Sequence, residues 1–372
     1  VKINRRLIAN FDWIMFASVV LLTLTGIMTI FSATRPLEGG GQPSYYIKQV
    51  YWLFVGLAAM AAVVSIDYVW FMRASLFLYG IGILLLAAVI VMGAVGMGAQ
   101  RWISLGPLSF QPSEVFKLFF IFMLARYMSM IRGAMGFKNI LTAFFAFLFL
   151  PFAMLLEQPD LGTAMMLFLI FTLLVLAKGV GRTVLLLAVI ISLISVPFVG
   201  SIAWDGLKDY QKKRIVAFVK PDVDPEGISY HIKQSKVAVG SGGFLGKGYL
   251  KGTQGPFRFL PEKHTDFIFS VFAEERGFLG SIFLLLIYLV FILRGLDTAY
   301  RAKDEFGRLV ALGITFMFTI YVVINIGMTL GMTPVVGIPL PFMSYGGTAL
   351  VSNFIAAGVL INIRARRFEL FY

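Results

Sequence analysis

In the stretch LPEKHTDFIFSVFAEERGFLG, residues 260–280, a charged loop becomes an apolar run that keeps three carboxylates, Asp266, Glu274 and Glu275. Asp266 follows Lys263 and His264 at the changeover, where water, a polar substrate and lipid can meet. Two readings stand open for it: a helix-start residue stabilised by the macrodipole, or a general base. Nearby cations lower an aspartate pKa and desolvation raises it, so sequence leaves its basicity open. Glu274 and Glu275 would lie ~12–14 Å further along a helix. At least one must point into the protein, toward Lys117, Arg126 or another buried donor, and both read as structural.

Three further constellations place ionisable or irregular residues inside apolar stretches, where charge costs roughly 2.5–3.5 kcal/mol per residue on insertion scales. In QPSEVFKLFF, Glu114 and Lys117 are three apart and can pair on one helix face. They are either a self-neutralised pair or the lining of a polar pocket. In LLEQPDLGTAMM, Asp160 follows Pro159 and can cap the next helix, line a pocket, or do both. The segment TPVVGIPLPFMSYGGTAL, 333–350, holds three prolines and three glycines and cannot be one regular helix. It reads as a short outer loop or as a broken segment facing a cavity, since irregular backbone at membrane depth must be buried in protein or lined by water.

The elements that must carry these residues follow from composition. The chain is 59% hydrophobic and 14% charged, with mean hydropathy +0.87, outside the soluble globular range. Apolar runs of about 20 residues, enough to cross ~30 Å of hydrocarbon, recur along it. An all-α polytopic membrane protein is expected, one membrane domain over 1–372. Ten spans read near 13–32, 49–66, 75–96, 113–131, 140–156, 162–178, 183–203, 267–293, 309–331 and 346–363. Seven lie within 1–203 and three within 266–372, separated by a large, partly helical extracytoplasmic loop at 204–265. The basic stretch VKINRRLIANFDW leads into the first span, which reads as retained rather than cleaved.

Lys and Arg gather in alternate short connections, from Arg5 and Arg6 through Arg73, Arg126, Lys178 and Arg294 to Arg364, Arg366 and Arg367. Both termini are therefore expected in the cytoplasm. The formal net charge of +13 is spread between spans and suits orientation and anionic lipid, not nucleic acid. The chain has no cysteine and two histidines, which excludes disulfides, thiolate chemistry and histidine-rich metal sites. It contains neither GxxxxGK[ST] nor HExxH.

At these residues the chain resembles the SEDS family (shape, elongation, division and sporulation) of bacterial wall synthesis. The resemblance rests on RWISLGPLSFQPSEVFK (101–117), EQPDLGTA (157–164), YHIKQSKVAVGSGGFLGKGYLKGTQGPFRFLPEKHTDFIFSVFAEERGFLG (230–280) and PVVGIPLPFMSYGG (334–347), in that order. QSKVAVGSGG followed by GKGYLKGTQ resembles the RodA-type elongation members, and Arg276 stands where a neutral residue is the family pattern. The resemblance implies a peptidoglycan glycosyltransferase acting on lipid II, with Asp266 as the essential residue and candidate base. It implies Glu114, Lys117 and Asp160 as pocket residues. Arg101, Lys236 and Lys247, with Ser344, are further substrate-binding candidates. The reading assigns no cofactor and leaves a metal requirement open; a divalent cation, Mg or Mn, could share the pyrophosphate charge. A class B penicillin-binding protein is the implied partner, in the bacterial inner membrane with the active site outward. A lipid II flippase that makes no bonds is the alternative, since buried polar residues and a broken segment suit a transporter equally.

Overall fold

The computed structural model describes residues 10–35, 45–96, 99–105, 108–181, 209–220, 228–253 and 263–368. In chain order the elements are α1 (Trp13–Thr34), α2 (Tyr45–Ser65), α3 (Tyr68–Met92), β1 (Ala94–Gly96), β2 (Ala99–Leu105), β3 (Leu108–Phe110) and α4 (Pro112–Ser129). They continue with α5 (Phe137–Glu157), α6 (Leu161–Lys178), α7 (Asp209–Val219), α8 (Ile228–Ser241), α9 (Ile268–Tyr300), α10 (Glu305–Thr329) and α11 (Gly347–Ala365).

Eight of these, all but α4, α7 and α8, are long and apolar enough to cross a membrane. Helix α4 has 18 residues as well but carries Glu114, Lys117 and Arg126. Nine of the ten expected spans thus meet a helix among the described residues; the tenth, 183–203, lies outside them. Helix ends differ from expectation where a polar residue starts the helix. Asp67 accepts from Val69 N at 2.9 Å, so α3 begins at Tyr68 rather than near 75. Asp304 accepts from Gly307 N at 2.8 Å and starts α10 at Glu305. Hydropathy sees neither cap; capping satisfies orphan N–H groups regardless of apolarity.

Helices α10 and α11 sit centrally, mostly buried, while α3, α5 and α9 turn much of their surface outward. At one end Asp12 accepts from Arg294 and Arg364, and Arg364 also reaches Asp297 at 2.6 Å. These ion pairs tie α1, α9 and α11 together. At the other end β1, β2 and β3 form an antiparallel meander between α3 and α4, an element the hydropathy reading did not anticipate.

The same end holds the long loop. Its SYHIKQSKVAVG piece is helical, within α8, in line with the partly helical loop expected. Ser235 of α8 donates to Thr329 O and meets Ser270 Oγ, both at 2.6 Å. The glycine-rich stretch after α8 is spliced into α9, which breaks at Gly277 (φ 66°, ψ −163°). Across the break Lys247 N and Gly248 N donate to Glu274 O and Glu275 O at 3.0 Å, and Phe278 N donates to Gly243 O at 2.9 Å. Loop backbone replaces the helix bonds that the break removes, as buried backbone requires. The approach leaves no room for a side chain: a Cβ on Gly246 would lie 2.2 Å from Glu275 O, and one on Gly277 2.2 Å from Gly246 N.

Both glutamates belong to this splice. Glu274 accepts from Lys247 Nζ at 2.6 Å and from Thr253 N and Oγ1 at 2.9 and 2.8 Å. Glu275 accepts from Ser32 Oγ of α1 and from Leu250 N at 3.2 Å. Their structural role stands as expected, with the loop and α1 as donors rather than Lys117 or Arg126.

Gly246→Ala should therefore lose clearly more stability than Gly243→Ala. Both have positive φ, which costs ~1–3 kcal/mol for a non-glycine residue, but nothing lies within 4 Å of a Cβ at Gly243. Thermal unfolding of the two variants in detergent measures the difference; equal losses would contradict the close packing of loop on α9.

Candidate functional site

A cavity of about 130 Å³ lies at the loop end of the bundle. Arg101, Glu114, Lys117, Asp160 and Asp266 all line it, drawn from β2, α4, the start of α6 and the turn before α9.

On α4, Lys117 Nζ donates to Glu114 Oε1 at 2.7 Å, with both side chains buried. It also donates to Tyr321 OH of α10 and sits 4.7 Å from the centre of that ring. Tyr321 OH reaches Glu114 Oε2 at 3.2 Å, closing a triangle of cation, anion and phenol. The pair is thus both self-neutralised and part of a pocket wall. A buried pair like this is stable only while both charges and their remaining hydrogen-bonding sites are satisfied.

Asp160 also fills two roles. It caps α6 by accepting from Thr163 N at 3.3 Å and Thr163 Oγ1 at 2.8 Å. Its Oδ1 lies 3.7 Å from Arg101 NH1. Arg101 is further held by Pro159 O, yet its buried Nε has no hydrogen-bond partner among the described residues. A buried donor left unpaired costs ~1–3 kcal/mol and invites an acceptor from outside the chain.

Asp266 is half-buried just before α9. Its backbone carbonyl accepts from Asn325 Nδ2 of α10 at 2.9 Å, and the same amide donates to Ile338 O at 2.7 Å. One buried side chain therefore fixes the carboxylate-bearing turn against the irregular 334–346 segment. Gly337 (φ 77°) lies beneath the carboxylate: a Cβ there would be 3.3 Å from Asp266 Oδ2 and 3.7 Å from Arg214 NH1. Arg214 comes from α7 and donates to Val336 O at 2.8 Å.

The 334–346 segment has no helix, and Gly337, Ile338, Pro339, Tyr345 and Gly346 line the cavity. Of the two readings, the broken segment facing a cavity is the one observed. Its backbone is satisfied by side chains: Gln49 Nε2 donates to Ser344 O at 3.0 Å and Tyr288 OH to Pro341 O at 2.6 Å. Burial, followed by the neighbouring Tyr45, pushes the Tyr345 phenol up, so it stays a neutral hydroxyl at the cavity wall.

The remaining candidates lie elsewhere. Ser344 accepts from Leu340 N at 2.8 Å and donates to Thr265 O at 2.6 Å, clamping the segment to the turn that carries Asp266. Lys247 is paired with Glu274, and Lys236 packs over Gly331 at the end of α10. Sequence reasoning missed Arg214, Tyr321 and Asn325. Arg214 is one of three consecutive basic residues in the long loop, and nothing local sets it apart from Lys212 and Lys213. Tyr321 and Asn325 stand one turn apart in a span that carries no charged residue from 309 to 331, and polar side chains at helical spacing were the available signal. Among the described residues no group of three or more His, Cys, Asp or Glu side chains could hold a metal. Glu114 and Asp160 are carboxylates in the cavity, but each already faces a cation of the chain.

A bundle of membrane-length helices whose one end encloses acids and cations defines a multi-pass membrane protein with a charged cavity at that end. The sequence profile of the FtsW/RodA/SpoVE family, described as "Cell cycle protein", matches residues 12–368, and the chain belongs to that family. The peptidoglycan glycosyltransferase MrdB of Escherichia coli K12 is 43% identical over 292 residues, 78% of each chain. The peptidoglycan glycosyltransferase RodA of Treponema pallidum is 34% identical, over 97% of this chain and 99% of its own. In three dimensions the chain is similar to one from a structure described as "Structural coordination of polymerization and crosslinking by a peptidoglycan synthase complex". There the TM-score is 0.81 at 29% identity, over 96% of this chain and 99% of that one. The rod shape determining protein RodA of Thermus thermophilus matches with TM-score 0.70 at 26% identity, covering 96% and 98%.

Removing one partner of the buried pair should destabilise more than removing both. Lys117→Met leaves Glu114 without its cation and should cost ~3–5 kcal/mol, while Glu114→Gln with Lys117→Met should cost less. Melting temperatures of the purified variants check this, and a double variant less stable than Lys117→Met would contradict it.

Proposed function

We propose that this chain is a peptidoglycan glycosyltransferase that polymerises lipid II into β-1,4-linked glycan strands for cell elongation. The observation that carries the reading is that Asp266 lines one cavity with Arg101, whose buried Nε has no hydrogen-bond partner among the described residues. Polymerisation needs a base at the acceptor and positive charge at the leaving group, and these two residues are of the right kinds.

In the proposed step, the Asp266 carboxylate takes the proton from the 4-hydroxyl of the acceptor sugar. That oxygen attacks the anomeric carbon of the donor, the carbon–oxygen bond to pyrophosphate breaks with inversion, and polyprenyl pyrophosphate leaves. Negative charge grows on the leaving group, and donors fixed in advance stabilise it without reorganisation. Arg101 is the first such donor. Lys117, committed to Glu114 and Tyr321, contributes its field from the cavity wall, and Arg214 approaches from the loop. Asp160 and Glu114 hold the two cavity cations in place. Lys236, Lys247 and Ser344 serve the same site at one remove, by holding the loop and the 334–346 segment. A divalent cation, Mg or Mn, would add to the charge on the pyrophosphate and would be carried by the substrate, since Glu114 and Asp160 are engaged by Lys117 and Arg101.

The proposed setting is the bacterial inner membrane, both termini in the cytoplasm and the cavity facing outward, as the distribution of Lys and Arg supports. The proposed partner is a class B penicillin-binding protein, whose crosslinking would follow polymerisation. The similarity to a chain from a peptidoglycan synthase complex supports that pairing.

Purified protein with lipid II in detergent tests the reading. Wild type should make glycan strands, and Asp266→Asn should lower the rate ~10²–10⁴-fold while remaining folded. Strands at the wild-type rate from Asp266→Asn would remove the base; no strands from wild type would favour a flippase. A parallel arm with EDTA reports the divalent cation, by loss of rate and its recovery with Mg or Mn.

A further inference from the structure

A second hollow, of about 400 Å³, opens between α1 and α9 and shares no lining residue with the cavity. One stripe of α9 forms its floor, from Arg276 through Leu279 and Phe283 to Ile287, and Met28 of α1 faces it. Phe283 and Met28 are exposed, so the hollow is open sideways to lipid.

The position of the hollow in the bilayer follows from α9 itself. Below the break, Phe278 and Arg294 are ~24 Å apart along the axis at ~1.5 Å per residue, and Arg276 lies just above the break, so the two arginines bracket a length close to the ~30 Å of a hydrocarbon core. Arg294 is anchored to Asp12 at one surface. Arg276 therefore stands at the head-group level of the opposite leaflet. From Leu279 to Ile287 the helical floor runs ~12 Å, and Arg276 caps it above the break, within the depth of a single leaflet.

The mouth is positively charged. Arg276 is exposed, and its guanidinium lies 5.3 Å from the centre of the Tyr249 ring, which holds it over the hollow. On the other side of the loop Arg35 donates to Leu250 O at 2.8 Å and adds a second cation nearby. The one acid in the lining, Glu275, is buried and turned inward to Ser32 and Leu250 N. Arginine at this level presents a fork of donors suited to phosphate oxygens.

We propose that the hollow binds one anionic glycerophospholipid of the outer leaflet, of the phosphatidylglycerol type. Its phosphate sits on Arg276 and one acyl chain lies along the groove between α1 and α9. The lipid would brace the joint at which Glu275 ties the loop to α1. A polyprenyl chain much longer than one leaflet is not contained by a groove of this depth.

Native mass spectrometry of purified wild type given equimolar phosphatidylglycerol and phosphatidylcholine tests the site. Wild type should retain one phosphatidylglycerol in preference to phosphatidylcholine. Glycerol phosphate should not displace it, because the chain contributes, and neither should an equal concentration of polyprenyl pyrophosphate. Arg276→Gln should lower phosphatidylglycerol retention about fivefold, Arg276→Lys should restore most of it, and Met28→Trp should expel both lipids. Equal retention of the two lipids by wild type, or displacement by polyprenyl pyrophosphate, would overturn the proposal without any variant. Unchanged retention in folded Arg276→Gln or Met28→Trp would overturn it as well.

Discussion

Non-helical backbone near the membrane must have every polar group satisfied, and here one amide does much of that. Asn325 Nδ2 binds the carbonyls of Asp266 and Ile338 together, so the turn before α9 and the 334–346 segment become one object. Ser344, Gln49 and Tyr288 complete the support by bonding Thr265 O, Ser344 O and Pro341 O. In a low-dielectric surround an unmade bond of this kind costs several kcal/mol. The irregular segment can exist only because these side chains stand ready on regular helices. The payoff is geometric: a cavity wall with no side chain at Gly337, beneath the Asp266 carboxylate.

The loop is held by a different device with the same logic. Helix α9 gives up its own bonds at Gly277, and the loop backbone supplies replacements. Glu274 and Glu275, both just before the break, then fix the loop with charge-assisted bonds. Helix α8 is pinned to α10 through Ser235, while Arg214 of α7 reaches the 334–346 segment. A long loop thus behaves as part of the scaffold where it meets the cavity. The carboxylates inside the apolar run, which looked anomalous, are what joins the loop to the membrane helices.

The path from sequence to structure was clear where one physical rule dominates. Apolar length placed nine helices, since crossing hydrocarbon admits few other solutions for a chain of this composition. Ionisable residues inside apolar stretches marked Glu114, Lys117, Asp160 and Asp266, and the structure brings those four together with Arg101. Residues whose role depends on a distant partner were not legible. Lys247 and Lys236 looked like cations for a substrate, but one neutralises Glu274 and the other packs on a turn of α10. Arg214 lies more than 100 positions from Val336, which it contacts, and no local pattern records that pairing. Tyr321 and Asn325 are uncharged, so a search for charge in apolar runs passes over them. The β1–β2–β3 meander escaped because its strands are short and carry no clear alternation.

The most direct measurement uses the absence of cysteine from the chain, which makes single-cysteine variants free of background. Asp266→Cys, treated in intact spheroplasts with a membrane-impermeant maleimide, reports whether position 266 faces water outside the membrane. A cavity open to the outer surface predicts rapid labelling from outside, slowed when lipid II is bound. Labelling only after the membrane is permeabilised, or none in the folded protein, would contradict the placement of the carboxylate on which the proposed chemistry rests.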